Sequence, residues 1–265
     1  MLYVLERFLY RLSVSPHRQR LVLKGGMLLA AFDERRPTRD VDLLAVAVSN
    51  DLDTVSSLIR DIVAIDVDDG VVYAPDRLSA ERIREQDLYA AARIVVPASV
   101  DRAQHPLRVD VNVSDPVTPA PIEVDYPALL DGSFTVFGYP IQSVLAEKVV
   151  TMVQRGDTTT RERDFADVLL LAGHHDIDAA QLSEAIAATS THRRAALRPL
   201  SEALSTLGRD RRIAWQQYLA RSGLERALPR EYEEAITRVA RFVDPILTGA
   251  VNAGRWDHAH GRWTE

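Results

Sequence analysis

Apolar and polar positions along the first half of the chain follow both helical and strand spacing. Residues 2–13 carry apolar side chains at helical intervals, which predicts an amphipathic opening helix. Continuous apolar runs at residues 21–23 and from Asp40 onward are typical of buried strands. Residues 107–113 alternate between apolar and polar side chains, which predicts a strand with one buried face. The first half therefore predicts a mixed sheet with flanking helices.

From Ile141 the pattern is helical almost to the end of the chain. Pro116–Pro127 predicts a proline-rich connection, and residues 251–265, which lack periodicity, predict a flexible tail. We expect the α+β class, with an α/β domain at residues 1–140, a helical domain at 141–250 and then the tail. Further helices are predicted at 50–65, 143–154, 161–171, 179–189, 192–206, 209–222 and 229–247, and further strands at 70–73, 89–96 and 134–137.

The composition narrows the class of protein. The 265 residues are 46% hydrophobic, which suits one large or two modest cores. No apolar run approaches the roughly 18 to 20 residues of a membrane span, and no secretory signal opens the chain, so we expect a cytoplasmic protein without membrane contact. There is no cysteine, and the seven histidines show no HExxH spacing. A bound metal would therefore be held by oxygen.

The charges are unevenly placed, although the net charge is only -6. The helical second half is rich in arginine, and the arginines from Arg193 to Arg241 could contact an RNA backbone. Ordinary solvated helix faces would give the same pattern. Only Lys24 and Lys148 are lysines among the 32 basic residues. A lysine kept against this background favours a place that needs a compact ammonium.

Two short motifs in the first half could bind a phosphorylated substrate and a metal. Lys24-Gly25-Gly26 lies between a predicted strand and helix, where glycine lets backbone amides approach phosphate. A structural turn would need glycine for the same steric reason. Asp40 and Asp42 are two residues apart on a predicted strand, so their carboxylates should share a face and could hold hard divalent cations. Taken alone, this pair could also belong to a solvated turn.

Two motifs in the second half carry charges on predicted helices. Lys148 lies among apolar residues, so a salt bridge or a surface lysine is as reasonable as a phosphate contact. Asp164 and Asp167 are three residues apart and share a helix face. Acids in a first helical turn often only complement the helix dipole. Both interpretations can hold for different members of this pair.

These motifs, in this order and spacing, resemble the AbiEii/AbiGii abortive-infection toxins. That family comprises nucleotidyltransferase-like proteins of the DNA polymerase β superfamily, including toxins of mycobacterial type IV-like toxin–antitoxin systems. The family often has Gly-Ser or Gly-Thr where this chain has Gly25-Gly26, so phosphate would have to be held by backbone amides. The resemblance covers roughly residues 20–172 and rests on Lys24 to Leu29, Arg36 to Leu43, Glu147-Lys148 and Arg163 to Asp167.

The resemblance implies an N-terminal nucleotidyltransferase-like sheet and a toxin that uses Mg²⁺. Such an enzyme would transfer a nucleoside monophosphate from an NTP to the 3′ acceptor end of tRNA and so block translation. By resemblance, Asp40 and Asp42 would bind Mg²⁺, Lys148 would contact the triphosphate, and Asp164 would complete the site. A cognate antitoxin protein is the expected partner.

Two further residues are weaker candidates. Asp110 could be a third metal-binding carboxylate, although an alternating strand needs polar residues on its open face in any case. Thr38 lies two residues before Asp40. Phosphorylating Thr38 would add about -1.5 to -2 charge beside the two carboxylates, which should repel nucleotide and inactivate the enzyme.

Two other functions remain open from the residues. The same site could modify a small molecule such as an aminoglycoside, or a protein side chain. The chain could also be a catalytically idle module that binds a partner protein. The intact acidic pair at Asp40 and Asp42 favours an enzyme.

Overall fold

The computed structural model describes residues 1–85, 89–113, 116–130 and 132–264. The chain forms two compact units: Met1–Asp115 with Pro121–Tyr139, and Pro116–Ala120 with Pro140–Glu265. The α-helices are α1 Leu2–Val14, α2 Gly25–Leu28, α3 Leu52–Val63, α4 Ile141–Arg155, α5 Glu162–His174, α6 Ala179–His192, α7 Leu200–Ala203, α8 Leu207–Asp210, α9 Arg212–Ser222 and α10 Tyr232–Leu247. The strands are β1 Leu21–Lys24, β2 Val41–Ala45, β3 Val71–Tyr73, β4 Ser79–Glu85, β5 Tyr89–Val96, β6 Ala98–Val100, β7 Ala103–Gln104, β8 Leu107–Asn112, β9 Ile122–Pro127, β10 Ser133–Gly138, β11 Ile177–Asp178, β12 Arg255–Asp257 and β13 Arg262–Thr264.

The first unit is built on a mixed seven-stranded sheet in the order β4-β5-β8-β2-β1-β10-β9. β1 and β2 lie at its centre, and all four residues of β1 are buried. This position explains their continuous apolar runs, because a central strand covered on both faces needs apolar side chains on both. β2 runs antiparallel to β1 and parallel to β8. The end of β1 therefore meets the start of β2, and the predicted α+β class is confirmed.

Helices α1 and α3 contact the strands of this sheet with their apolar faces. In α1 the buried residues include Leu5, Phe8 and Leu12, which recur at helical spacing. Asp51, one residue after the predicted helix start at residue 50, caps α3 by accepting a hydrogen bond of 2.9 Å from the Thr54 amide.

Two strands of the sheet were not predicted, and both lie at its edges. β9 lies within the stretch predicted as a proline-rich connection, and its last residue, Pro127, is the register partner of Ser133 on β10. An edge strand tolerates proline because one of its sides has no ladder to complete. β4 forms the opposite edge beside β5. Both edge strands have many exposed residues and lack the apolar signal of the central strands.

The second unit consists of α4 to α10 and a small sheet, β11-β12-β13. α4 contacts α5 and α6, and α10 contacts α5, α7 and α8. The predicted helix at 192–206 is wrong. α6 ends at His192, and Arg194 follows with a φ of 49°. Pro199 precedes the four-residue α7, and proline keeps the residue before it out of the helical region. No helix in the described part of the chain is long and apolar enough to cross a membrane.

The flexible tail expected at 251–265 is also wrong for the described residues up to 264. β12 pairs with β11 and with β13, so this segment closes the small sheet. Trp256 is 5% exposed, and its indole nitrogen donates to the Ala172 carbonyl at 2.7 Å. Trp263 stacks on Phe242 with ring centroids 5.5 Å apart. Aromatic burial therefore orders a segment that has no regular period of its own.

Candidate active site

The predicted site residues fall in both units, and each group is described within its own unit. In the first, the turn after β1 is built around Gly25, whose φ of 66° is a left-handed conformation that favours glycine. An ideal Cβ on Gly25 would lie 1.9 Å from Oδ2 of Asp42. Any side chain there would displace this carboxylate. Since α2 is only four residues long, the clearest structural role of Gly25 is to make room for Asp42.

Gly26 makes room for a second pair of side chains. An ideal Cβ on Gly26 would lie 2.9 Å from Oγ1 of Thr38 and 3.1 Å from Nη1 of Arg36. The Thr38 hydroxyl donates a hydrogen bond of 3.1 Å to Oδ1 of Asp40. Each glycine of the pair therefore lies against the group that positions or carries a site carboxylate.

Lys24, the last residue of β1, is the register partner of Asp42. Its side chain is buried, with 4% exposure, and Nζ lies 5.7 Å from the centroid of the Tyr139 ring. The register therefore places the Lys24 and Asp42 side chains next to each other on one side of the sheet, where β1 ends and β2 begins.

Asp40 and Asp42 supply the oxygen donors of the first unit. Asp42 lies on β2 and Asp40 in the bend just before it, and both are partly exposed. Within the described residues, no group of three or more His, Asp or Glu side chains is arranged to hold a metal ion. Two carboxylates still fit Mg²⁺, which commonly takes one or two from the protein and completes its shell with phosphate oxygens and water. Because the Asp42 carboxylate lies against Gly25, one of these two oxygen donors is already in place.

Asp110 lies beside this pair but is bound to an arginine. It is the register partner of Asp42 on the parallel strand β8. Arg93 on β5 donates from Nε to Oδ1 of Asp110 at 2.8 Å and from Nη2 to Oδ2 at 2.7 Å. The hydrogen bonds that Arg93 donates to Asp110, with smaller effects of Asp40 and Glu81, raise the pKa of Arg93. Both oxygens of the predicted third carboxylate are therefore engaged by one guanidinium.

In the second unit, Lys148 and the two predicted acids form one buried network. Lys148 on α4 lies 2.5 Å from Oδ2 of Asp167 and 3.4 Å from Oδ1 of Asp164, both on α5. The side chain of Lys148 is 12% exposed, that of Asp164 3% and that of Asp167 0%. Arg161 donates from Nε to Oδ2 of Asp164 at 2.6 Å. The structure thus joins α4 to α5 through the lysine and the acid pair singled out in the sequence.

The neighbouring cations determine the charge state of Asp164. Burial by itself would raise the pKa of this carboxyl, but Lys148, Arg161 and Arg163 outweigh it and lower the pKa to about 2. Asp164 is therefore ionised throughout the neutral range.

Two of the arginines expected on an RNA surface, Arg193 and Arg211, are engaged within the second unit. Arg193 is buried, donates to Oγ1 of Thr151 at 2.8 Å and lies 3.4 Å from Oε1 of Glu147. Arg211 pairs with Glu162 at 2.6 Å. These two arginines stabilise helix packing, so any RNA contact falls to the more exposed arginines of this unit.

Arg93 and Arg161 were missed as parts of the candidate site, and Arg193 was named only as a possible RNA contact. Arg161 had a local signal, since it precedes Asp164 by three residues, the spacing of neighbours on a helix. Arg93 and Arg193 had none. Their partners are fixed by which strands and helices lie side by side, and no short motif encodes this.

Comparisons with known proteins agree with the fold and the motifs. The family model described as "Nucleotidyl transferase AbiEii toxin, Type IV TA system" matches residues 7–239. Similar solved structures include JHP933 from Helicobacter pylori, 13% identical with a TM-score of 0.53, which covers 93% of this chain and 90% of that one. They also include the nucleotidyltransferase toxin MenT4 from Mycobacterium tuberculosis, 17% identical with a TM-score of 0.50, with 94% of this chain and 92% of that one covered. At these identities the likeness shows the fold alone. A comparison with curated proteins gives no match.

Proposed function

Because the chain belongs to the family of AbiEii nucleotidyl transferase toxins of type IV toxin–antitoxin systems, we propose that it transfers a nucleoside monophosphate from an NTP to the 3′ acceptor end of tRNA. The modified tRNA could then no longer be aminoacylated, and translation in the growing cell would be blocked. The observation that carries the proposal is the carboxylate of Asp42, held in the gap left by the missing Cβ of Gly25, with Asp40 just before it. Such a preformed pair of oxygen donors suits nucleotidyl transfer.

We assign Asp40 and Asp42 to the metal. A divalent cation held there, most simply Mg²⁺, would supply neutralisation of phosphate charge and activation of the acceptor hydroxyl. The Thr38 hydroxyl holds Asp40 by a hydrogen bond, and the missing side chain of Gly25 leaves the space that the Asp42 carboxylate occupies. These contacts keep the donors in place before substrate arrives, which lowers the cost of organising them during the reaction.

We assign Lys148 to the triphosphate of the NTP. An ammonium has three N–H donors, and Asp164 and Asp167 engage two of them. The third remains for a phosphate oxygen. Asp164 stays ionised at neutral pH, so its carboxylate orients the Lys148 side chain from 3.4 Å away. Gly25 and Gly26 are assigned to the nucleotide as well, through their backbone amides.

We further propose that modification of Thr38 inactivates the enzyme. Its hydroxyl now donates to Asp40 at 3.1 Å. A phosphate on this oxygen would replace a hydrogen-bond donor by about -1.5 to -2 charge next to a metal-binding carboxylate. Repulsion of the incoming triphosphate is the expected result.

The partners proposed are tRNA and a cognate antitoxin, in the cytoplasm. RNA would be bound largely through phosphates and shape, by exposed arginines of the second unit. Arg212 and Arg226 are exposed examples. Changing them should weaken tRNA binding and reduce its dependence on salt, whereas changing Arg193 should chiefly weaken the fold.

A labelling experiment tests the function and separates it from its alternatives. Purified protein is incubated with Mg²⁺ and each of four α-³²P-labelled NTPs, together with total RNA, total protein or an aminoglycoside. We expect label in tRNA with the wild type and with Asp66→Asn, which changes an exposed carboxylate, and none with Asp42→Asn. Label in protein or in the antibiotic would replace tRNA as the acceptor. Undiminished toxicity of Asp42→Asn in cells would favour the non-catalytic binding module.

A further inference from the structure

A row of five charged residues crosses the sheet of the first unit. In register, Lys24 on β1 faces Asp42 on β2, Asp42 faces Asp110 on β8, Asp110 faces Arg93 on β5, and Arg93 faces Glu81 on β4. Register partners on adjacent strands lie on the same side of a sheet, about 5 Å apart. The row therefore places two acids side by side, with a cation on each outer flank.

The pairing within this row is unequal. Arg93 takes both oxygens of Asp110 in a two-pronged contact, at 2.8 and 2.7 Å. The side chain of Asp110 is 15% exposed and that of Arg93 37%. This parallel geometry is among the strongest contacts that arginine makes with a carboxylate. A metal ion sharing the same oxygens would lie close to a guanidinium and be repelled by it.

We propose that Arg93 is a positioning residue that withholds Asp110 from the metal, so that the site binds its cation through Asp40 and Asp42 alone. The inference rests on the proposed function. Its consequence is that the protein supplies too few ligands to hold the metal tightly, and the phosphates of the NTP must supply the rest. Metal and nucleotide then bind together, and the empty enzyme holds little metal.

The charge of the row explains why an arginine is needed there. Asp40, Asp42 and Asp110 bring three negative charges to neighbouring positions, and Arg93 feels both Asp110 and Asp40. Without Arg93, Asp110 would be free to turn toward a cation at Asp42. A three-carboxylate site would then bind metal without nucleotide.

The test measures Mn²⁺ affinity in the absence of nucleotide, from the loss of the free-ion EPR signal. It compares the wild type with Arg93→Met, with the double variant Arg93→Met/Asp110→Asn, and with Arg108→Met. The double variant removes the pair without changing the net charge. Arg108 is an exposed residue of β8, so its variant loses the same charge as Arg93→Met without releasing Asp110.

We expect Arg93→Met to bind Mn²⁺ at least about fivefold more tightly than both the wild type and Arg108→Met, because a third carboxylate becomes available. The double variant should stay within about twofold of the wild type. A loss of about tenfold or more in the double variant would show that Asp110 is a ligand in the native protein and would overturn the inference. Equal affinities for Arg93→Met and Arg108→Met would overturn it as well.

Two controls keep these outcomes distinct. Circular dichroism and the thermal midpoint report whether each variant is folded. If Arg93→Met does not fold, Arg93→Lys replaces it in the test, since lysine keeps the charge but lacks the two-pronged guanidinium. Its Mn²⁺ affinity should lie between that of the wild type and that expected for Arg93→Met. A wild type that binds no Mn²⁺ even with a non-hydrolysable NTP, while Asp42→Asn still transfers nucleotide, would instead overturn the metal role in the proposed function.

Discussion

Replacing Lys148 by methionine separates its structural role from its proposed catalytic one. The substitution keeps the aliphatic stem and removes the ammonium that lies 2.5 Å from Asp167 and 3.4 Å from Asp164. Asp167 is fully buried, with 0% exposure of its side chain. Breaking a buried ion pair on one side typically costs about 3 to 5 kcal/mol. Arg161 remains on Asp164, so we expect a loss near the lower end of this range.

The double variant Lys148→Met/Asp167→Asn should recover part of the stability. It replaces the buried charge left behind with a neutral amide, and we expect about 1 to 2 kcal/mol less destabilisation than in Lys148→Met. Urea unfolding followed by circular dichroism measures both values. Transfer of labelled nucleotide to tRNA is then measured on each folded variant.

The two readouts should diverge. If Lys148 contacts the triphosphate, the double variant regains stability but stays inactive, while Asp167→Asn alone keeps measurable transfer. Recovery of transfer in the double variant to within about tenfold of the wild type would show that the ammonium only stabilises the fold. A loss of under about 1 kcal/mol in Lys148→Met would refute the buried network itself.

Further predictions concern the turn, acid stability and regulation. Gly25→Ala should lower transfer by at least about 100-fold and cost about 1 to 2 kcal/mol in urea unfolding, through left-handed strain and displacement of Asp42. Gly26→Ala should do less harm, because Gly26 has no left-handed φ and its new Cβ would meet Oγ1 of Thr38 at 2.9 Å and the end of Arg36 at 3.1 Å rather than an Asp42 oxygen. The pKa of Asp164 is lowered to about 2. Its carboxylate therefore adds about 2 kcal/mol to the free energy of unfolding above pH 4, and this contribution is lost as the pH falls toward 2. Asp164→Asn should flatten that part of the curve of stability against pH, measured by urea unfolding, and an unchanged slope would contradict the assignment. Thr38→Glu should abolish transfer in the labelling assay, and Thr38→Ser, which keeps the hydroxyl that donates to Asp40, should retain most of it. Wild-type activity in Thr38→Glu would end the proposal of inactivation by phosphorylation.

The sequence predicted the central parts of the fold because those parts have local signals. β1 and β2 are continuous apolar runs, and the turn between them carries a glycine pair. Asp40 and Asp42 were singled out by their two-residue spacing on a predicted strand together with the glycine pair that precedes them. What spacing did not reveal is the contact between Asp42 and the empty face of Gly25, since this depends on the register of two antiparallel strands.

The parts that were missed depend on contacts between distant segments. β9 and β4 are edge strands, and edge strands have a weaker apolar pattern than central ones. Trp256 and Trp263 order the last segment by packing on α5 and α10, which lie far from them in sequence. Arg93 entered the candidate site only because β5 lies beside β8. Long-range pairing of this kind leaves no periodic trace in the chain.

The most direct test of the central claim is the mass of the tRNA 3′ end after incubation with the purified protein, Mg²⁺ and each NTP in turn. We predict a mass increase of one or more nucleotide residues with at least one NTP for the wild type. Asp42→Asn should give no increase, and Asp66→Asn should match the wild type. An unchanged tRNA mass with all four NTPs, or an equal increase with Asp42→Asn, would contradict the proposal.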